Sequence, residues 1–155
     1  MPKYYKKKYY RGSRDKYSVE QQAGSLTVPA SQQGYTVVVP DTAIQGMRKV
    51  KHLTVSVAAN EGTETTNAWA FWALVYVPQG TTPSALSLTG TTGMYEPNQF
   101  VMNCGVVDFS AGPVRFTSPV SRNLNSGDKI VLILANSSTY NATYHYVVRY
   151  AITLQ

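Results

Sequence analysis

From Tyr144 to Leu154 every second residue is apolar: Tyr144, Tyr146, Val148, Tyr150, Ile152 and Leu154 fall on one side of an extended chain, and His145, Val147, Arg149, Ala151 and Thr153 on the other. A two-residue period belongs to a β-strand with one buried face, because successive strand side chains point in opposite directions. The pattern recurs upstream. Leu53, Val55 and Val57 oppose His52, Thr54 and Ser56, and Val114, Phe116 and Val120 oppose Arg115, Thr117 and Ser121. No stretch keeps a 3.6-residue period with capping residues, so helix is incidental at most.

The spacing predicts eight strands, near 19–28, 34–39, 48–59, 68–77, 99–107, 113–122, 128–136 and 143–154, separated by segments in which Gly, Pro, Asn, Asp and Ser supply the turn chemistry. Eight such strands in one domain point to an all-β fold, an eight-stranded antiparallel jelly-roll sandwich. That arrangement joins the first, eighth, third and sixth strands in one sheet and the second, seventh, fourth and fifth in the other. The fourth strand (Trp69 to Val77) and the seventh (Ile130 to Leu134) are apolar on both sides. Their sheet therefore needs cover on its second face, either from segment 78–98 or from another subunit, since a monomer seldom exposes a large apolar patch. The sparse charge of the body favours the subunit.

Charged residues make up 14% of the chain, against about 25% in an average soluble protein, which excludes a coiled coil or a charge-laced helical bundle. No apolar run approaches the roughly 20 residues of a bilayer span, and no apolar segment follows the basic N-terminus as a secretory signal requires. A soluble protein without membrane insertion is expected. Cys104 is the single cysteine, so the chain forms no internal disulfide, and a reducing compartment fits.

Seven of the fourteen Lys and Arg residues lie within residues 1–17, against the one acid Asp15, so this stretch carries the whole net charge of +6 and leaves a neutral body. The division is a basic arm, 1–17, and a sandwich domain, 18–155. The arm has no Leu, Ile, Val or Phe with which to offset the roughly 1 to 2 kcal/mol per residue lost on ordering a backbone, so disorder is expected. Its tyrosines, Tyr4, Tyr5, Tyr9, Tyr10 and Tyr17, are interleaved with Lys3, Lys6, Lys7, Lys8, Arg11, Arg14 and Lys16. Single-stranded nucleic acid uses both features: cations displace counterions from phosphates, and unpaired bases stack on aromatic rings without sequence preference. The cluster from Lys6 to Arg11 also suits a nuclear-import receptor. In the body, Arg48, Lys49, Lys51 and His52 open the third strand, while Arg115 and Arg149 fall on polar strand faces. All could line the outer surface of the first sheet and extend the basic track.

Catalytic chemistry finds little support. There is no H-E-x-x-H, C-x-x-C, G-x-S-x-G, Walker loop or G-x-G-x-x-G, and the eight carboxylates are scattered. Cys104 shares the parity of Phe100, Met102 and Val106 and is expected to be a buried small apolar residue rather than a nucleophile. The chain reads as a non-enzyme with no metal and no cofactor.

A Lys/Arg/Tyr arm joined to a compact eight-stranded jelly roll resembles the capsid proteins of small eukaryotic viruses with circular single-stranded DNA genomes, the circovirus-like and nanovirus-like groups. The stretches Trp72 to Pro83, Tyr95 to Val101, Ser121 to Asp128 and Val148 to Ile152 are similar to segments of unclassified capsids of this type. The body is short for such a capsid, which implies small loops and a smooth shell. The resemblance implies a closed icosahedral shell of about sixty identical subunits, virion localisation with assembly in the host nucleus, and packaging of single-stranded nucleic acid, DNA ahead of RNA. It directs the arm inward, with Lys3, Lys6, Lys7, Lys8, Arg11 and Arg14 on phosphate, Tyr4, Tyr5, Tyr9 and Tyr10 on bases, and Arg48, Lys51, Arg115 and Arg149 on the inner wall. The competing reading is a non-viral binding module, lectin-like or a small nucleic-acid-binding protein, with a basic tether.

Overall fold

The computed structural model describes residues 17–61, 69–83, 100–110 and 112–153. Nine strands follow in order: β1 (Tyr17–Val28), β2 (Gln33–Val39), β3 (Arg48–Glu61), β4 (Trp69–Val77), β5 (Phe100–Asp108), β6 (Val114–Ser118), β7 (Arg122–Leu124), β8 (Lys129–Asn136) and β9 (Ala142–Thr153). One sheet runs β1-β9-β3-β6 with the short β7 beside β3, and the other runs β2-β8-β4-β5. All pairings are antiparallel. This is the strand order expected of an eight-stranded jelly roll.

The expected sixth strand is divided in two. Pro119 lacks a backbone N–H and cannot continue the ladder with β3, so β6 stops at Ser118 and pairing resumes at Arg122. Val120 consequently lies in the break, largely exposed, and not in the core.

Between the sheets, Leu53, Val55, Phe116, Val148 and Ile152 of the first pack toward Trp72, Leu74, Ile130, Leu132 and Leu134 of the second. Each fully buried aliphatic side chain there contributes about 1.5–3 kcal/mol. Tyr146 shares this layer: its ring lies over Gly24, where an added Cβ would come within 2.7 Å of the ring carbon Cζ, and its hydroxyl pairs with Thr36 Oγ1 at 2.8 Å. A second cluster, Ala73, Val75, Val77, Val131 and Ile133, occupies the opposite face of the β2-β8-β4-β5 sheet and is buried within the single chain. Tyr35, Trp69 and Val106 on the same face stay exposed, so the described chain covers this face only in part. Of segment 78–98, residues 84–98 lie outside the described residues.

Register shifts break the alternation in β2, between Val37 and Val39, and in β3 and β5. In β3, Lys51 pairs with Ala151 but Thr54 pairs with Arg149, so β3 holds one extra residue there. His52 absorbs it in a left-handed conformation, φ 54°, which histidine tolerates better than β-branched residues do. In β5, Leu74 faces Asn103 while Val75 faces Val101, leaving Met102 as the extra residue packed on the main core. Past that point the parity is reversed. Cys104 is exposed, not buried as its spacing from Met102 suggested.

One end of the sandwich is tied by Asp128. Its Oδ2 accepts from the Tyr76 hydroxyl at 2.6 Å and the Asn125 N–H at 2.8 Å, and its Oδ1 accepts from the Gln79 N–H at 3.0 Å. Gly127 beside it has φ 81° and donates its N–H to the Thr42 carbonyl. A side chain at that position would be strained and would collide with Gln79.

Candidate nucleic-acid interface

The inner positions of the β1-β9-β3-β6 sheet are fixed by the core, so alternation sends the intervening side chains outward. On β3 these are Lys49, Lys51, Thr54, Ser56 and Ala58, the bulge at His52 having kept the lysines on the same side as the threonine and serine. On β9 they are His145, Val147, Arg149 and Ala151, and on β6 Arg115 and Thr117. β1 contributes Val19, Gln21, Ala23 and Ser25. Among the described residues this face thus carries Lys49, Lys51, Arg115 and Arg149 and no carboxylate.

Glu20, the acid nearest in sequence, is turned the other way. It is opposite Tyr150 in the ladder, and its Oε2 accepts from the Tyr150 hydroxyl at 2.6 Å. Burial first, and this bond second, push the Tyr150 phenol well above its ordinary range, so it stays a donor at all physiological pH. The outer face keeps its uncompensated charge because the one acid of β1 is engaged on the inner side.

The register places the arginines. Thr54 stands between Arg149 on β9 and Thr117 on β6, and Ser56 stands between Val147 and Arg115. Arg115 and Arg149 therefore occupy adjacent rows on either side of β3, roughly 12 Å apart at Cα by the usual strand spacings. The Lys51 ammonium lies 4.6 Å from the ring centroid of Tyr17. The chain enters the sheet at Tyr17, which begins β1 and pairs with Thr153, so the basic segment joins the body beside Lys51. Tyr17, counted with the arm in the sequence, is the first residue of the sheet.

Arg48 does not share this face. It has the parity of buried Val50 and lies opposite buried Leu124, and its Nη2 donates to the Pro40 carbonyl at 3.0 Å. Arg122 likewise points inward, its guanidinium 4.3 Å from the Tyr76 ring centroid, and with Lys49, Ser121 and Asn123 it borders a polar hollow of about 360 Å³. Lys3, Tyr4, Tyr5, Lys6, Lys7, Lys8, Tyr9, Tyr10, Arg11, Arg14 and Lys16 lie outside the described residues. Lys49, one of the residues expected to open the third strand on this face, is absent from the inner-wall set that the resemblance implies. Its place on the face depends on the bulge at His52, which periodicity alone does not reveal.

A shallow hollow of about 350 Å³ sits on the same face, lined by Ala23, Ser56, Ala58, Pro113, His145 and Val147 together with the strand backbone between them. No group of three or more His, Cys, Asp and Glu side chains suited to a metal ion is present among the described residues. No helix among them is long and apolar enough to cross a membrane. The chain matches no protein-family model and no curated protein.

Proposed function

We propose that this chain is a capsid protein that self-assembles into a small icosahedral shell and packages single-stranded nucleic acid, DNA in preference to RNA, without reading its sequence. The observation that carries the nucleic-acid half is the junction at Tyr17: the basic segment meets the sandwich at a sheet face that, among the described residues, bears cations and no carboxylate. Phosphate contacts on the segment then continue onto Lys49, Lys51, Arg149 and Arg115, and the segment's tyrosines offer stacking faces. The shell half is supported by the jelly-roll connectivity joined to a leading cationic segment. In this reading the protein acts in the virion, and the cluster from Lys6 to Arg11 is read by a host import receptor for assembly in the nucleus. It performs no catalysis and needs no cofactor.

A second reading, a monomeric or dimeric nucleic-acid-binding module, draws on one observation: Ala73, Val75, Val77, Val131 and Ile133 on the outer side of the β2-β8-β4-β5 sheet are buried within the single chain, although Tyr35, Trp69 and Val106 on that side are exposed. Electron microscopy and light scattering of the purified full chain separate the two. Closed particles whose contents are nuclease-sensitive after disruption support the shell. A mass near one or two chains at every concentration overturns it. Removal of residues 1–16 should leave particles nearly empty of nucleic acid, and unchanged packing would overturn the role given to the segment.

A further inference from the structure

The outer face of the β1-β9-β3-β6 sheet is not uniformly charged. At its centre Ala23, Val147 and Ser56 form one cross-strand row and Ser25, His145 and Ala58 the next. The small side chains at Ala23, Ser56 and Ala58 leave the strands low, while Pro113, His145 and Val147 stand around them, and the result is the hollow of about 350 Å³ lined almost wholly by apolar atoms. Val147 is 41% exposed, an apolar surface facing solvent. Charge flanks it on two sides: Arg115 is opposite Ser56, and Arg149 follows Val147 on the same face of β9.

We propose that this hollow seats a base of a bound single strand while Arg115 and Arg149 hold the phosphates that bracket it. The proposal rests on the nucleic-acid reading above and adds where on the body the strand lies. A flat heterocycle suits a shallow floor of methyl groups and extended backbone, which gives van der Waals contact without any hydrogen-bond code. Cations at the rim and the lack of any carboxylate on the described face fit the phosphodiester on either side. The exposed imidazole of His145 at the edge adds a second flat surface. Purines and pyrimidines are accepted alike, as packaging without sequence preference requires.

The test is photo-crosslinking of the full chain to a single-stranded oligodeoxynucleotide carrying 5-iodouracil, with the adducts located by tryptic mass spectrometry. Adducts are expected in the peptide 130–149, which contains His145 and Val147. Ala23→Leu and Ala58→Leu, which fill the hollow and leave the cations in place, should lower their yield at least about fivefold with the salt dependence of binding unchanged. Both positions point away from the core, and the mapping on the unaltered chain stands even if a variant misfolds. Adducts confined to residues 1–16, with the oligonucleotide firmly bound, overturn the base seat and leave the nucleic-acid reading intact. No binding of the oligonucleotide at all overturns both.

Discussion

Trp72 on β4 and Phe116 on β6 stack face to face across the sandwich, ring centroids 4.2 Å apart and planes 12° from parallel. The pair spans the two sheets, and Gly105 makes room for it: an added Cβ there would sit 3.0 Å from the indole Nε1. Trp72→Ala should destabilise the fold by about 3–5 kcal/mol in urea denaturation. A double-mutant cycle with Phe116→Ala should return a coupling of about 0.5–1.5 kcal/mol. A coupling near zero would mean that the rings do not touch in solution.

Asp128 gives the fold a pH dependence of known sign. Partial burial pulls its carboxyl upward, but the hydrogen bonds from Tyr76, Asn125 and Gln79 outweigh that and hold it below the usual carboxylate range. A depressed native pKa means that the stabilisation is complete above the unfolded value, about 3.9, and is lost as pH falls through the native one. Asp128→Asn should cost about 1–3 kcal/mol at pH 7, with the difference from the parent shrinking steadily below pH 4. Tyr76 acts at the other extreme. Burial, followed by its bond to Asp128, raises the phenol to about 12, so its contribution persists through neutral pH and is lost as pH rises from about 10 through that value. Urea titrations across the range check both limbs.

The cationic face predicts a change in salt sensitivity, not in stability. Arg115→Gln combined with Arg149→Gln should reduce the slope of log affinity against log salt for single-stranded DNA by about 1.4, since each phosphate contact contributes about 0.7. Both side chains are exposed, so the melting temperature should barely move. Arg48→Gln, on the inner side, should leave the slope as it was. Equal slopes for all three proteins would remove the face from the nucleic-acid path.

The same residues show what a sequence makes legible. Strand positions follow from apolar periodicity, because burial of one face imposes a two-residue repeat wherever pairing is regular, while the sheet order comes from the jelly-roll arrangement expected of eight such strands. The strand carrying Tyr144, Tyr146, Val148, Tyr150 and Ile152 was readable on that ground alone, and these side chains are all buried. Periodicity fails where a bulge inserts one residue, because everything beyond it changes face. Cys104 was misread for this reason, and so was Arg48. The shielding of Val75, Val131 and Ile133 was also illegible, since an apolar run reads the same whether its own chain or a partner covers it. The cationic face lay between these cases: Arg115 and Arg149 follow from alternation, and Lys49 and Lys51 do not.

His52 is where that difference can be tested. Counting back from buried Leu53, Val55 and Val57 without a bulge would put Lys51 and Lys49 in the core and Val50 in solvent; the structure has Val50 buried. The extra residue at His52 makes both Val50 and Leu53 inner, and it does so through a left-handed backbone that costs an L-residue about 1–2 kcal/mol. His52→Gly removes that cost while loosening the unfolded chain by roughly 0.5–1 kcal/mol, so stability should be unchanged or slightly higher. His52→Val, β-branched at positive φ, should lose about 1–2 kcal/mol more than the parent. Deleting His52 should be far worse than either, because restoring regular pairing drives two lysines between the sheets. If valine were tolerated as well as glycine, or the deletion folded normally, the bulge would be absent in solution and Lys49 and Lys51 would leave the cationic face.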